Sequence, residues 1–139
     1  MASGYLLDTN VLSETRKIRA DTSVLSFLSA SDGTSLFVSV LTIGELRKGV
    51  EAKRRSDPIA GENLNIWVDG IESDFADRIL PVSIPIARIW GEKSAGRTLP
   101  VIDTLIAATA IAHDLALVTR NTKDVEHTGA RLINPWENR

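Results

Sequence analysis

Short apolar runs alternate with helical apolar stripes along the whole chain. Tyr5-Leu6-Leu7 is short and continuous, as expected of a central strand covered on both faces. Leu36-Phe37-Val38-Ser39-Val40 is rich in strand formers. Ile79-Leu80-Pro81-Val82 reads as a third strand, whose proline places it at a strand end or sheet edge. Leu115-Ala116-Leu117-Val118 is a fourth, and Arg131-Leu132-Ile133 a fifth that Pro135 stops. Between these runs the apolar positions recur at helical spacing. The spacing predicts helices over residues 11–17, 24–30 and 42–55, the last with Ile43, Leu46 and Val50 on one stripe. A longer helix follows the break at Pro58 and Gly61, with Leu64, Trp67, Val68, Ile71 and Phe75 in register. Pro85 suits a first helical turn, where a missing N–H costs nothing, and Ile86, Ile89 and Trp90 follow it. Residues 101–113 form the plainest helix of all. Strands alternating with helices argue for a mostly parallel sheet of four to five strands with helices on both faces. No repeat, low-complexity segment or linker interrupts the pattern, so one domain over residues 1–139 is expected.

Composition narrows the class. Hydrophobic residues make up 43% and charged residues 24%, which fits a soluble globular protein. The net charge of −2 supplies no global field toward nucleic acid or anionic membrane. Any grip on RNA or DNA must come from local basic patches. With no cysteine, disulfides, thiolate zinc sites and cysteine nucleophiles are excluded together, and a reducing cytoplasm is the expected location. Met1-Ala2-Ser3-Gly4 has no basic segment ahead of a long apolar stretch, so no signal peptide is expected. The apolar stretch at 105–112 is interrupted by Thr109 and falls short of the ~20 residues a bilayer span needs.

Four acids stand at breaks in this pattern, and each has two readings. Asp8 ends the first strand, where ligands bind in open α/β sheets; Asp-Thr-Asn also turns a chain and caps a helix. Glu45 fits a capping box with Thr42, while Gly49, one turn on, leaves room beside its carboxylate. Asp103 lies in a first helical turn, where the helix dipole favours an acid. Ala107 and Ala110 continue its face, however, as they would in a helix packed close to a sheet with its first turn facing a cleft. Asp124 follows the fourth strand, in a polar stretch that could be loop or cap. Together the four would meet at one edge of the sheet. Without a cation they would repel one another and carry raised pKa values, and hard oxygen ligands suit Mg2+ or Mn2+ rather than zinc.

These residues carry a resemblance. The run Tyr5-Leu6-Leu7-Asp8-Thr9-Asn10-Val11-Leu12-Ser13-Glu14 resembles the opening motif of PIN-domain ribonucleases, most of all the VapC-type toxins of bacterial toxin–antitoxin pairs. Ser39 to Gly49 is similar to their second motif, Asp103 to Ala110 to the third, and Leu117 to Asp124 to the fourth. The resemblance implies a PIN-like three-layer α/β/α sandwich. It places the metal-site acids at Asp8, Glu45, Asp103 and Asp124, with Thr9, Thr119 and Asn121 in support. It implies an endoribonuclease dependent on Mg2+ or Mn2+, a homodimer, a cognate antitoxin that blocks the acidic pocket, and promoter DNA bound only through the antitoxin complex. The fourth motif departs from the pattern at Val125, where many relatives have Phe, and at Asn121, where some have an acid.

Other chemistry drops out. There is no Gly-rich phosphate loop ending in Lys-Ser or Lys-Thr and no Gly-x-Ser-x-Gly elbow. His113 and His127 lack metal-ligand spacing. Arg47, Lys48, Lys53, Arg54 and Arg55 read mostly as a solvated helix face. Trp67, Phe75 and Trp90 read as core or dimer contacts rather than base-stacking platforms. Two rivals to the nuclease remain. One is a silent PIN-like module acting through a protein partner. The other is a phospho-receiver domain, which would need a second acid beside Asp8 and a Lys at the last strand's lip; Thr9-Asn10 and Ile133-Asn134-Pro135 stand there instead.

Overall fold

A computed structural model describes residues 4–137. Residues 1–3, on which the signal-peptide expectation mostly rests, and residues 138–139 lie outside the described residues. In chain order the elements are β1 (Tyr5–Leu7), α1 (Thr9–Thr15), α2 (Thr22–Ala30), β2 (Leu36–Ser39), α3 (Val40–Ser56), α4 (Pro58–Asp74), β3 (Ile79–Leu80), α5 (Ile84–Ser94), α6 (Val101–Ala112), β4 (Ala116–Val118), α7 (Thr122–Val125) and β5 (Leu132–Ile133). Short 3-10 turns at Gly33–Ser35 and Glu126–Thr128 complete the set. No helix among the described residues is long and apolar enough to cross a membrane.

All five strands pair in parallel, in the order β3-β2-β1-β4-β5. Successive strand residues face opposite sides, and the core divides accordingly. Leu7, Leu36, Val38 and Val118 pack with Val11, Leu12 and Val24 of α1 and α2, and with Leu46, Val50 and Val68 of α3 and α4. Leu6 and Leu117 face the other way, onto Ile106, Ala107 and Ala110 of α6 and Val125 of α7. The sheet is therefore the middle of three layers, and the α/β/α expectation holds. Ala107 and Ala110 have no exposed surface, so small side chains let α6 lie close against the strands.

Several element boundaries differ from the sequence reading, each for a local reason. Helix α3 starts at Val40, not at Thr42. Ser39 is its cap and accepts from the Leu41 N–H. Thr42 lies fully buried inside the helix, so the capping box expected with Glu45 does not form. Helix α4 starts at Pro58, and Asp57 closes α3 while capping α4 through the Ala60 N–H. Gly61 thus sits inside α4, at its closest approach to α3. A Cβ there would lie 2.6 Å from Arg54 Cγ and 2.8 Å from Arg54 backbone atoms. The basic stretch of α3 is not simply solvated. Arg47 bonds Asn65, Asp69 and Glu72 of α4, and Arg54 pairs with Glu51 and Glu62.

Candidate active site

The strand order has a switch point. From β1 the chain builds outward to β2 and β3, then returns to the other side of β1 with β4 and β5. In open parallel sheets the crevice at the carboxyl ends of the two strands flanking such a point is the natural ligand site. Those strands are β1 and β4, and the residues that follow them are Asp8 and Thr119. Leu7 registers with Val118, and the Asp8 N–H donates to the Val118 carbonyl at 3.0 Å.

Asp8 is 5% exposed. Its Oδ1 accepts from the Thr9 N–H at 2.8 Å, so it caps α1 as one of its two readings required. Its Oδ2 accepts from the Thr119 hydroxyl at 2.7 Å and from the Asn10 carboxamide at 3.3 Å. Burial pushes the carboxyl above its ordinary value, and the Thr119 and Thr9 bonds pull it part of the way back. Asn10 also donates to the Thr119 hydroxyl at 3.4 Å and accepts from the Arg120 N–H at 3.4 Å. The side chain of Asn10 therefore stitches the first motif to the fourth. The sequence reading treated it only as part of a turn, though its place after Asp-Thr was a signal that it shared the lip.

Glu45 lies on α3, half-buried, and its carboxylate accepts a hydrogen bond from the Thr9 hydroxyl. Thr9 is also 3.2 Å from the Thr42 hydroxyl. Thr9, assigned a supporting role, thus holds the second acid while its backbone N–H holds the first. Thr42 supports this link from within the helix.

Asp103 stands in the first turn of α6, behind a Pro100 cap that makes no side-chain bond. Its carboxyl is pushed up to about 6, first by burial and then by the negative charges of Asp8, Glu45 and Asp124. Asp103 is thus the acid on which the charges of the other three named from sequence bear. Asp124 lies in α7, a single turn that sequence reading left as polar loop or cap. It is exposed and lines a pocket of about 260 Å3 with Arg120, Asn121 and Lys123. Asn121 bonds through its backbone N–H, at 3.0 Å to the Thr119 hydroxyl. The Thr119 hydroxyl therefore accepts from the Asn121 N–H and donates to Asp8.

Among the described residues no three His, Cys, Asp or Glu side chains are drawn tightly enough together to cage an ion alone. Two grooves open beside Glu45. One, of about 700 Å3, is largely apolar and runs beside Glu45 along Leu41, Gly44, Gly49 and Ala52 of α3 to Ile102 of α6. The other, of about 300 Å3, leads past Thr9 and Ser13 to Arg16 and Trp67. A cavity of about 850 Å3 at the opposite strand ends, beside Gly4, Tyr5 and Ala116, lies away from the acids.

The chain as a whole is similar to known proteins. Residues 5–129 match the model of the PIN domain family. The chain is 35% identical to VapC ribonuclease Y4jK of Sinorhizobium fredii, over 95% of this chain and 97% of that one. It is 32% identical to toxin FitB of Neisseria gonorrhoeae, over 94% and 97% respectively. Among solved structures it resembles FitAcB from Neisseria gonorrhoeae, with a TM-score of 0.81 and 32% identity over 96% of this chain and 99% of that one.

Proposed function

Because the chain belongs to the PIN-domain family, we propose that it is a divalent-metal-dependent endoribonuclease and the toxin of a toxin–antitoxin pair. The observation that carries the reading is the crevice where β1 and β4 end: Asp8 is buried there, Asp103 is held near 6 by burial and then by the charges of Asp8, Glu45 and Asp124, and the acids offer oxygen donors alone. That set fits Mg2+ or Mn2+.

Asp8 and Asp103 are the principal ligands in this reading, with Glu45 and Asp124 completing the pocket. When bound, the ion supplies Lewis acidity toward the scissile phosphodiester and acidifies water in its shell. The protein's own groups do the positioning. Thr119 and Asn10 fix Asp8 Oδ2, and Thr9 fixes Glu45. Burial of Asp8 strengthens each of these contacts by lowering the local dielectric. Arg120 and Lys123, which flank Asp124 on an exposed surface, are placed to meet the backbone phosphates. The partner in this reading is a cognate antitoxin. The apolar groove beside Glu45 has the length and chemistry for an inserted segment that would shield the acids. Similar solved structures include a toxin–antitoxin complex from Klebsiella pneumoniae and FitAB bound to a DNA fragment, and promoter DNA would be reached here through the antitoxin. A homodimer is part of the same proposal.

The test is cleavage of RNA by purified protein with Mn2+, against Asp103→Asn. Loss of cleavage with a retained fold supports the assignment. Undiminished cleavage by a folded Asp103→Asn protein overturns it.

A further inference from the structure

The groove toward Trp67 is not explained by the acid site. It is walled by Thr9 and Ser13 of α1 and by Arg16, which caps its C-terminal end, by Glu45 and Gly49 of α3, and by Trp67 of α4. Thr9, Ser13 and Arg16 are spaced i, i+4, i+7, so one face of α1 runs from the acids to Arg16 over about 10 Å. Arg16 is exposed, Trp67 is half-buried, and the Arg16 guanidinium carbon lies 5.5 Å over the Trp67 ring. A Cβ at Gly49 would project into open space, with nothing within 4 Å, so the glycine leaves this wall of the groove low.

We propose that this groove is a base-binding subsite: it takes an unpaired base of a single-stranded RNA, beside the phosphate presented to the acids. The inference deepens the nuclease reading and rests on it. With a net charge of −2 and four acids at the centre, the chain offers a polyanion little long-range attraction. Stacking does not depend on that field. Bases splayed from single strands stack on aromatic rings and on guanidinium planes, and hydrogen-bond along their edges. The Trp67 ring under the Arg16 guanidinium makes such a platform, and Ser13, which lines the same groove, supplies a hydroxyl for a base edge. A groove of about 300 Å3 has room for one base. A base inside a duplex cannot enter, so the subsite selects loops and ends over helices. This departs from the reading of Trp67 as core or dimer contact alone.

The experiment is an NMR titration of the 15N-labelled chain in EDTA, where binding is read without cleavage. The probes are tetraribonucleotides of A, C or U, and the same tetramers with one abasic position. The chain has three tryptophans, and Trp67→Phe assigns the Trp67 indole signal. The expected result is a saturable shift of that signal and a loss of binding of roughly 5- to 100-fold on abasic substitution at one position. Arg16→Ala, a change to an exposed side chain, weakens binding by a similar factor, and Trp67→Phe retains most of it. In cleavage with Mn2+, Arg16→Ala raises KM for a single-stranded substrate more than it lowers kcat. RNA that binds and is cleaved while the Trp67 signal stays still and Arg16→Ala behaves as wild type overturns the subsite alone. RNA that neither binds in EDTA nor is cleaved with Mn2+ overturns the nuclease reading and the subsite with it.

Discussion

Thr119 and Asp8, 111 positions apart, meet through a 2.7 Å hydrogen bond at the carboxyl ends of adjacent parallel strands. Both side chains are buried, so the hydroxyl is a fixed part of the carboxylate's surroundings. Thr119→Val keeps the shape and removes the donor. A buried acceptor deprived of a partner costs about 1–3 kcal/mol, and Asp8 would move further above its ordinary value. Denaturant unfolding should show that loss of stability, and cleavage should fall at least roughly tenfold, the factor that 1.4 kcal/mol represents. Thr119→Ser should restore most of both.

Asp103 makes the opposite prediction for stability. Its folded value of about 6 lies above the ordinary carboxylate value of 3.8. Between those values the native chain holds more protons than the unfolded one, so its stability falls as pH rises toward 6. Without metal, Asp103→Asn should therefore melt higher than wild type at pH 7.5, by roughly 4 °C if about 1 kcal/mol of repulsion is relieved. With Mn2+ the wild type should gain stability and the variant much less. Calorimetry with and without the ion measures both. Mn2+ binding by wild type should also weaken as pH falls through about 6, where a proton competes for Asp103.

Glu14 works the other way. It is buried on α1, pairs with Lys17 at 2.9 Å, and accepts the Asp21 N–H at 2.9 Å. The Lys17 bond, then the Asp21 N–H, hold its carboxyl below the ordinary value. Its contribution is present above the unfolded pKa and is lost as pH falls through the folded one. Glu14→Gln should flatten the acid limb of the stability–pH curve below about pH 4.5, where free Glu titrates, and lower stability at pH 7. An unchanged acid limb would count against this role.

Two glycines of α4 separate space from backbone freedom. Gly61→Ala drives a Cβ into the Arg54 backbone and should cost about 1–3 kcal/mol, as overpacking does. Gly70 is exposed, and a Cβ there meets nothing within 4 Å. Gly70→Ala should instead stabilise by about 0.4–1 kcal/mol, because it narrows the unfolded ensemble and favours helix. Urea midpoints moving in opposite directions are the expected result.

The readable parts of the sequence were those with strong local pattern. Each of the five strands lies within its predicted run, and α6 ends one residue short of its prediction. Boundaries that turn on capping were less legible. Thr42 and Glu45 have capping-box spacing, yet Ser39 takes the cap. Once β2 ends at Ser39 the helix can begin at once, and Thr42 is then carried into the core. Asn10 was legible only as a turn former, because its partners Thr119 and Arg120 are 109 and 110 positions away.

Local chemistry thus determined which residues could build strands, helices and acid-bearing breaks, because side-chain periodicity and turn preference act over a few positions. The order of the strands came from packing. It put β1 beside β4, and so joined Asp8 to Thr119. Only that long-range pairing gave three of the acids their surroundings, namely a buried Asp8, a Glu45 held by Thr9, and an Asp103 raised by burial and then by three neighbouring acids. The groove at Arg16 and Trp67 has the same origin, since its walls come from three helices that meet only when the sheet brings them together.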